Sequence, residues 1–193
     1  MSKLAVDVLH PPQDRAVDWA KQIALVVGAS LLVALCARVT VPLPFTPVPL
    51  TLQNFGVLVV GLVLGPRRAF AALVLYLAEG ASGLPVFNPT GPGGIAQLMG
   101  ATGGYLLAYP LVAGLAGFLL DRGRKTFAWA AVAGLAADVL LFTVGLSWLA
   151  IWTGSVRRAF QWGLYGFLFA EVIKILMAAA VSVRLNRAPR VRA

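Results

Sequence analysis

The chain has 193 residues, of which 60% are hydrophobic and only 12% charged, and its mean hydropathy is +0.85. These values exclude an ordinary soluble globular domain and predict an all-α integral membrane protein. The net charge of +9 alone would suit a nucleic-acid-binding protein, but the basic residues are distributed as markers of one membrane face.

The N-terminal segment does not resemble a cleaved signal peptide, because an aspartate and two prolines interrupt it before any sustained apolar run. We expect residues 1–18 to form a short cytosolic tail. Residues 19–185 then form a single membrane domain, and residues 186–193 a basic cytosolic C-terminal tail. The only histidine, His10, falls in the first tail and is expected to be solvated.

Six apolar runs fill most of the chain, and several approach the roughly 20 residues that a helix needs to cross a bilayer. The sequence therefore predicts a bundle of six transmembrane helices. The second and third runs are short, so they are either tilted and extended into their flanks or form a membrane-embedded hairpin. The six runs are residues 19–39, 51–64, 69–81, 105–120, 127–151 and 163–183.

The basic residues predict the orientation of this bundle. With the N-terminus inside, the external loops hold only Arg157 and Arg158, whereas twelve basic residues fall on the cytosolic side. This bias places both termini in the cytosol of a multi-pass protein of the cell (inner) membrane. The twelve are Lys3, Arg15, Lys21, Arg67, Arg68, Arg122, Arg124, Lys125, Arg184, Arg187, Arg190 and Arg192.

Tryptophan positions agree with this topology, since indole side chains favour the headgroup zones. Trp19 and Trp129 begin spans at the inner face, and Trp148, Trp152 and Trp162 cluster at the outer face.

Two uncharged segments, residues 40–50 and 82–104, then lie together on the external face. The stretch from Gly83 to Gly104 contains seven glycines and three prolines, which break helices. Such a neutral, irregular segment suits a cap over a small ligand, and its alternative is a mere connector. Amide side chains both donate and accept hydrogen bonds, which fits a urea-like or amide ligand. The polar side chains of the two regions are Thr46, Thr51, Gln53, Asn54, Asn88, Thr90 and Gln97.

Ionisable residues inside a bilayer are costly and suggest function. Glu171 and Lys174 lie at i, i+3 on one face of the sixth helix, as a ligand-binding pair or as a salt bridge that locks helix packing. Asp138, midway along the fifth span, is expected to be protonated or hydrogen-bonded to a neighbouring helix. Arg38 and Glu79 end spans at the outer face, as snorkelling or anchoring residues.

Short sequence motifs argue for or against other classes of function. Residues 80–83 match the GxSG of rhomboid-like intramembrane proteases, so an intramembrane enzyme is one alternative, although the membrane spans contain no histidine to act as its base. A purely structural scaffold is another. No GxxxxGK[ST] motif occurs, so ATP hydrolysis is not expected on this chain. No residue pattern calls for a metal or a cofactor.

Small residues recur every four positions in two spans, at Ala20, Ala24 and Gly28 and again at Gly61 and Gly65. Such strips let helices approach closely. Internal packing is the preferred interpretation, and docking onto another membrane subunit is the alternative. The single cysteine, Cys36, is expected only to pack.

Three blocks of sequence together resemble one family. They are PLPFTPVPLTLQNFGVLVVGLVLGPRRA at residues 42–69, YLAEGASGLPVF at residues 76–87 and ATGGYLLAYPLVAG at residues 101–114. The chain is similar over residues 19–185 to BioY, the biotin-specific substrate-binding (S) component of energy-coupling-factor (ECF) vitamin transporters. Another vitamin-binding S component is the nearest alternative.

The resemblance implies a six-helix protein that captures biotin at its external face under capping loops, with a transmembrane coupling (T) protein and ABC-type ATPases as partners. Whether the chain also forms a homo-oligomer is left open. The family pattern Asp-x-x-Lys is replaced here by Glu171 to Lys174, which adds one methylene to the acid. The resemblance places Asn88 and Glu171 at the ureido head and Lys174 at the carboxylate. Side chains at i, i+3 begin only about 5–6 Å apart, while the two ends of biotin are farther apart, so Lys174 must reach away, act through water or contact the head instead. Gln53, Phe87 and Tyr105 are expected wall or polar contacts.

Overall fold

A computed structural model describes residues 12–187, with side chains over residues 17–186; the remainder of both predicted tails, including His10, lies outside the described residues. Within this range the chain forms eight helices and two short strands. They are α1 (Pro12–Arg38), β1 (Thr40–Val41), β2 (Leu50–Thr51), α2 (Gln53–Leu64), α3 (Pro66–Ala81), α4 (Gly94–Met99), α5 (Gly103–Arg122), α6 (Phe127–Thr153), α7 (Val156–Gly163) and α8 (Leu168–Arg187).

Each of the six predicted apolar runs corresponds to one helix, namely α1, α2, α3, α5, α6 and α8. The first residue of the second run belongs to β2, and α8 begins only at Leu168, after the first five residues of the sixth run. Within residues 12–187, three of them are long and apolar enough to cross a membrane, namely α1, α5 and α6. A fourth crossing results if α7 and α8, bent by 53° at their junction, count as one span. The second and third runs are as short as predicted, with 12 residues in α2 and 16 in α3.

A single residue, Gly65, separates α2 from α3. Its φ of 78° lies in the left-handed region, where glycine pays no steric penalty. Pro66 follows as the first residue of α3, a position where its missing N–H group costs nothing. This Gly-Pro pair therefore ends one helix and begins the next without a connecting loop.

Four short elements correct the prediction of a purely helical bundle with irregular external loops. Strands β1 and β2 pair in antiparallel fashion, with Thr40 opposite Thr51. Helix α4 lies inside the glycine-rich segment, and α7 occupies part of the predicted external loop between the fifth and sixth spans. These elements are too short for hydrophobic periodicity to identify, and they satisfy backbone hydrogen bonds that an irregular segment would leave unpaired.

Helix α5 lies at the centre of the bundle and packs against α2, α3 and α6. The most apolar window of α5 is 67% buried, compared with 28% for α1 and 33% for α6. Close packing here depends on small residues: a Cβ atom on Gly61 would lie 2.6 Å from the carbonyl oxygen of Ala113. Internal packing, the preferred interpretation of the Gly61 strip, is therefore confirmed.

The small-residue strip on α1 has a different environment. Ala20, Ala24 and Gly28 are exposed, and a Cβ atom on Gly28 would have no neighbour within 4 Å. Internal packing is therefore wrong for this strip. Cys36, at the other end of α1, is buried and lies against Gly56 of α2, as expected of a packing residue.

Candidate functional site

A cavity lies at the end of the bundle where α2, α5 and α8 begin, and the middle of α6 contributes Leu141 and Phe142 to its wall. Its volume, as reached by a water-sized sphere, is about 60 Å³. Both uncharged segments reach it, so the two predicted external loops do meet above a single site. The lining residues are Val48, Pro49, Thr51, Gln53, Asn54, Asn88, Thr102, Tyr105, Leu106, Tyr109, Leu141, Phe142, Gly163, Phe167, Glu171 and Lys174.

Glu171 and Lys174 form an ion pair in the wall of this cavity. The Nζ atom of Lys174 lies 2.6 Å from Oε1 of Glu171, and both side chains are only 8% exposed. Their i, i+3 spacing on α8 brings them to one face of the helix, as the sequence predicted. Because Lys174 is held at this carboxylate, its charge lies next to Glu171 rather than at a distant part of the cavity.

Asn54, in the first turn of α2, connects this pair to α6. Its Nδ2 group donates to Oδ1 of Asp138 at 2.6 Å and to Oε2 of Glu171 at 2.7 Å. Asn54 is 3% exposed, Asp138 4% and Glu171 6%. Asp138 thus has the hydrogen bond to a neighbouring helix that its position predicted, and it lies behind Asn54 rather than in the lining.

Gln53, the neighbour of Asn54, is held by a second set of hydrogen bonds. Its Nε2 group donates to the hydroxyl oxygen of Tyr76 at 2.8 Å, and that hydroxyl donates to the carbonyl oxygen of Val86 at 3.0 Å. Phe87, expected as a wall contact, lies outside the lining. Its ring packs edge-on against Tyr76 with centroids 5.4 Å apart and also contacts Gly80. Phe87 therefore supports Tyr76 and, through it, the orientation of Gln53.

Asn88 and Tyr105 line the cavity as predicted. Asn88 is 5% exposed, and its Oδ1 atom accepts a hydrogen bond from the hydroxyl of Thr90 at 2.7 Å. The Nδ2 group of Asn88 forms no hydrogen bond with the rest of the described chain, so it is available as a donor. The hydroxyl of Tyr105 donates to the carbonyl oxygen of Gly163 at 3.1 Å, which fixes the ring between α5 and the end of α7.

Long-range hydrogen bonds fasten the two loops above the cavity. The hydroxyl of Thr46, in the first loop, donates to the carbonyl oxygen of Trp162 at 2.7 Å. The indole of Trp148, on α6, donates to the carbonyl oxygen of Gly100 at 2.9 Å, at the end of α4. Each loop is thus attached to a helix that also contributes to the cavity or to its rim.

Several residues of the site were not predicted from the sequence. Asn54 was noted only as a polar residue, and Tyr109 and Phe167 were not identified. Asn54 directly follows Gln53, and these two adjacent amides could have indicated it. No local pattern distinguishes Tyr109 or Phe167 from other aromatic core residues, because only the packing of α5 and α8 brings them to the cavity.

Other ionisable or motif residues lie away from it. The hydroxyl of Ser82, from the GxSG match, donates to the carbonyl oxygen of Glu79 at 2.7 Å at the end of α3. Glu79 accepts a hydrogen bond from the buried Ser30 of α1, so it joins two helices rather than only anchoring at an interface. Arg38 is exposed.

Comparisons with known proteins agree on one family. A model described as the BioY family matches residues 6–190. A relative from Pyrococcus horikoshii described as a probable biotin transporter BioY is 36% identical, and the match covers 86% of this chain and 97% of that protein. A biotin transporter BioY from Thermotoga maritima is 35% identical, with 76% and 86% covered.

A solved structure has the same fold. It is described as the S-component for biotin from an ECF-type ABC transporter, and it superposes with a TM-score of 0.80 over 88% of this chain and 92% of that one. Its sequence identity is 24%, so this likeness concerns the fold.

Proposed function

Because the chain belongs to the BioY family, we propose that it is the biotin-binding S component of an ECF-type transporter and mediates biotin uptake. The observation that carries the proposal is the cavity in which Glu171, Lys174 and two asparagines converge beneath two uncharged loops. The relatives described as biotin transporters support uptake rather than catalysis as the function of this chain.

The chemistry of the cavity matches the parts of biotin. A ureido head offers two N–H donors and one carbonyl acceptor, the sulfur ring is apolar, and the tail ends in a carboxylate. Glu171 supplies acceptor oxygens for the ureido N–H groups, and Asn88 supplies a free N–H donor for its carbonyl. Tyr105 and Phe142 supply apolar wall for the ring.

Lys174 is better suited to the head than to the carboxylate. Its Nζ atom lies 2.6 Å from Glu171, so an end of biotin bound at Glu171 also lies beside Lys174. The carboxylate is then left to the mouth, where the half-buried Thr51 and Thr102 line the wall.

Equilibrium binding of labelled biotin to the purified protein tests the function. Saturable binding is expected, and unlabelled biotin should compete for it while other vitamins should not. Competition by another vitamin would instead identify the S component for that vitamin. Glu171→Gln should weaken binding by about tenfold or more, the value of a hydrogen bond to a charged group. Glu79→Gln is the matched control, since Glu79 lies outside the cavity lining. Absence of saturable binding by the unaltered protein rejects the proposal.

A comparison of biotin with biotinamide, whose tail is uncharged, tests the place of Lys174. If Lys174 serves the head, Lys174→Met weakens the binding of both ligands by the same factor. A loss confined to biotin would instead place Lys174 at the carboxylate.

We also propose that the helices of the six apolar runs form six crossings of the cell (inner) membrane, with both termini in the cytosol and the cavity outside. The single cysteine makes this testable: Cys36→Ala gives a cysteine-free chain. In that background a cysteine at Arg157 should react with an impermeant maleimide added to intact cells, and one at Arg124 should not. The reverse pattern would invert the topology.

Transport requires partners in this proposal, namely a T protein and ABC-type ATPases. The exposed strip of Ala20, Ala24 and Gly28 supports a docking face on α1, because it has no partner within the described part of the chain. Gly28→Trp should prevent co-purification with the T protein while biotin binding is retained. Unchanged co-purification would place the docking face elsewhere.

A further inference from the structure

Asn54 contains a buried acceptor that the rest of the described chain leaves unsatisfied. The side chain is 3% exposed and lines the cavity, yet its Oδ1 atom has no hydrogen-bond partner. A buried acceptor without a partner carries a free-energy cost, because it has lost its hydrogen bonds to water. Such a cost is removed when a ligand in the cavity donates to that oxygen.

The surrounding carboxylates determine which end of the amide is the acceptor. Both N–H bonds of Nδ2 are used, one toward Asp138 at 2.6 Å and one toward Glu171 at 2.7 Å. The opposite orientation would place the carbonyl oxygen of the amide against two carboxyl oxygens, which have no donor to offer when ionised. The free atom is therefore the acceptor, and it is fixed in direction by two short hydrogen bonds from the same side chain.

We propose that Asn54 is a further specificity-determining residue of this site, which accepts a hydrogen bond from an N–H group of the ligand through Oδ1. The inference rests on the proposed function and extends it by one contact. The ligand class is a cyclic urea or amide with two N–H donors, because Asn54 and Glu171 present acceptors from neighbouring helices α2 and α8. In the same arrangement Asn54 positions Glu171 by holding its second oxygen while Lys174 holds the first.

The arrangement also explains why an amide suits this position. A carboxyl group in place of Asn54 would bring a third acid against Asp138 and Glu171, and an aliphatic side chain would leave both without their donor. Asparagine is the residue that satisfies two acids and still offers an acceptor to the cavity.

A cycle of variant and ligand isolates this contact. Affinities of the unaltered protein and of Asn54→Ala are measured for biotin and for biotins methylated at either ureido nitrogen. In the unaltered protein, blocking the relevant N–H group should weaken binding at least about fivefold, since Oδ1 is again left unpaired. In Asn54→Ala the same methylation should cost less, because the acceptor is gone and the shorter side chain leaves room for the methyl group.

Controls separate this inference from the function on which it rests. Asn186→Leu removes an amide that donates to the carbonyl oxygen of Leu62, outside the cavity, and should leave biotin affinity unchanged. If Asn54→Ala does not fold, Asn54→Gln keeps the amide but moves its oxygen into the cavity, and it should weaken biotin binding about tenfold.

The outcomes are distinct. Saturable binding by the unaltered protein, with equal losses on methylation in both proteins, would overturn the role of Asn54 and leave the proposed function standing. Failure of the unaltered protein to bind biotin would reject both.

Discussion

Replacement of Lys174 by methionine tests how the buried ion pair contributes to stability. The substitution leaves the Glu171 carboxylate without the Nζ atom now 2.6 Å away, in a site where both side chains are 8% exposed. The donor that remains to Glu171 is the amide of Asn54, which also donates to Asp138. Removing one partner of a buried ion pair typically costs about 3–5 kcal/mol, because the other charge is left uncompensated. The free energy of unfolding should fall by an amount of this order.

The double variant Glu171→Gln/Lys174→Met should recover most of that loss. It removes both charges together, and replacing a buried pair by neutral side chains of similar volume is often close to neutral for stability. Glutamine also keeps an acceptor oxygen for the amide of Asn54.

Reversible unfolding in mixed micelles of increasing denaturing-detergent content, followed by circular dichroism, measures these differences. Lys125→Met is the matched control, since Lys125 lies 3.8 Å from Asp121 with both side chains 49% exposed. An exposed pair of this kind contributes only about 0–1 kcal/mol. The reasoning fails if Lys174→Met costs no more than Lys125→Met, or if the double variant is no more stable than the single one.

Two further substitutions test the packing and the hydrogen bonds behind the cavity by the same assay. Gly61→Leu should lower the free energy of unfolding by about 1–3 kcal/mol or more, because a Cβ at this position meets the backbone of α5. The control, Gly28→Leu, should change it by less than about 0.5 kcal/mol. Equal effects of the two substitutions would contradict the packing of α2 against α5. Tyr76→Phe should lower the free energy of unfolding by about 1–3 kcal/mol, since Gln53 loses its buried acceptor. The control, Tyr165→Phe, should be nearly neutral, because Tyr165 is 65% exposed. A neutral Tyr76→Phe would show that Gln53 finds another partner.

The long helices could be predicted because each apolar run carries its own signal. A run such as residues 127–151 is almost uninterrupted, and α6 begins at the same residue, Phe127. The short elements carry no such signal. Helix α7 contains Arg157 and Arg158, so its composition is that of an external loop, and its helical form depends on the Ser155 cap and on packing against α6.

The candidate site could be predicted only where its residues are neighbours along one helix. Glu171 and Lys174 are three positions apart, so the sequence itself places them together. Asn54 is 84 positions from Asp138 and 117 from Glu171, and only the packing of α2 against α6 and α8 brings the three together. A polar residue at the start of a helix is as often a cap as a ligand contact, so the neighbouring Gln53 was the one sign in the sequence that pointed to Asn54.

The two small-residue strips show how the same pattern can have opposite consequences. The spacing of Gly61 and Gly65 and that of Ala24 and Gly28 both permit close approach of a second helix, but neither specifies which helix. In the folded chain α5 occupies the first strip, so that a Cβ on Gly61 has no room, while the second faces outward with open space at Gly28. A chain that buried all of its small-residue strips internally would have no flat helix face left for a membrane partner. The exposed strip on α1 therefore leaves a close-approach surface on the outside of the bundle, and in the proposed function this is the surface at which the T protein docks.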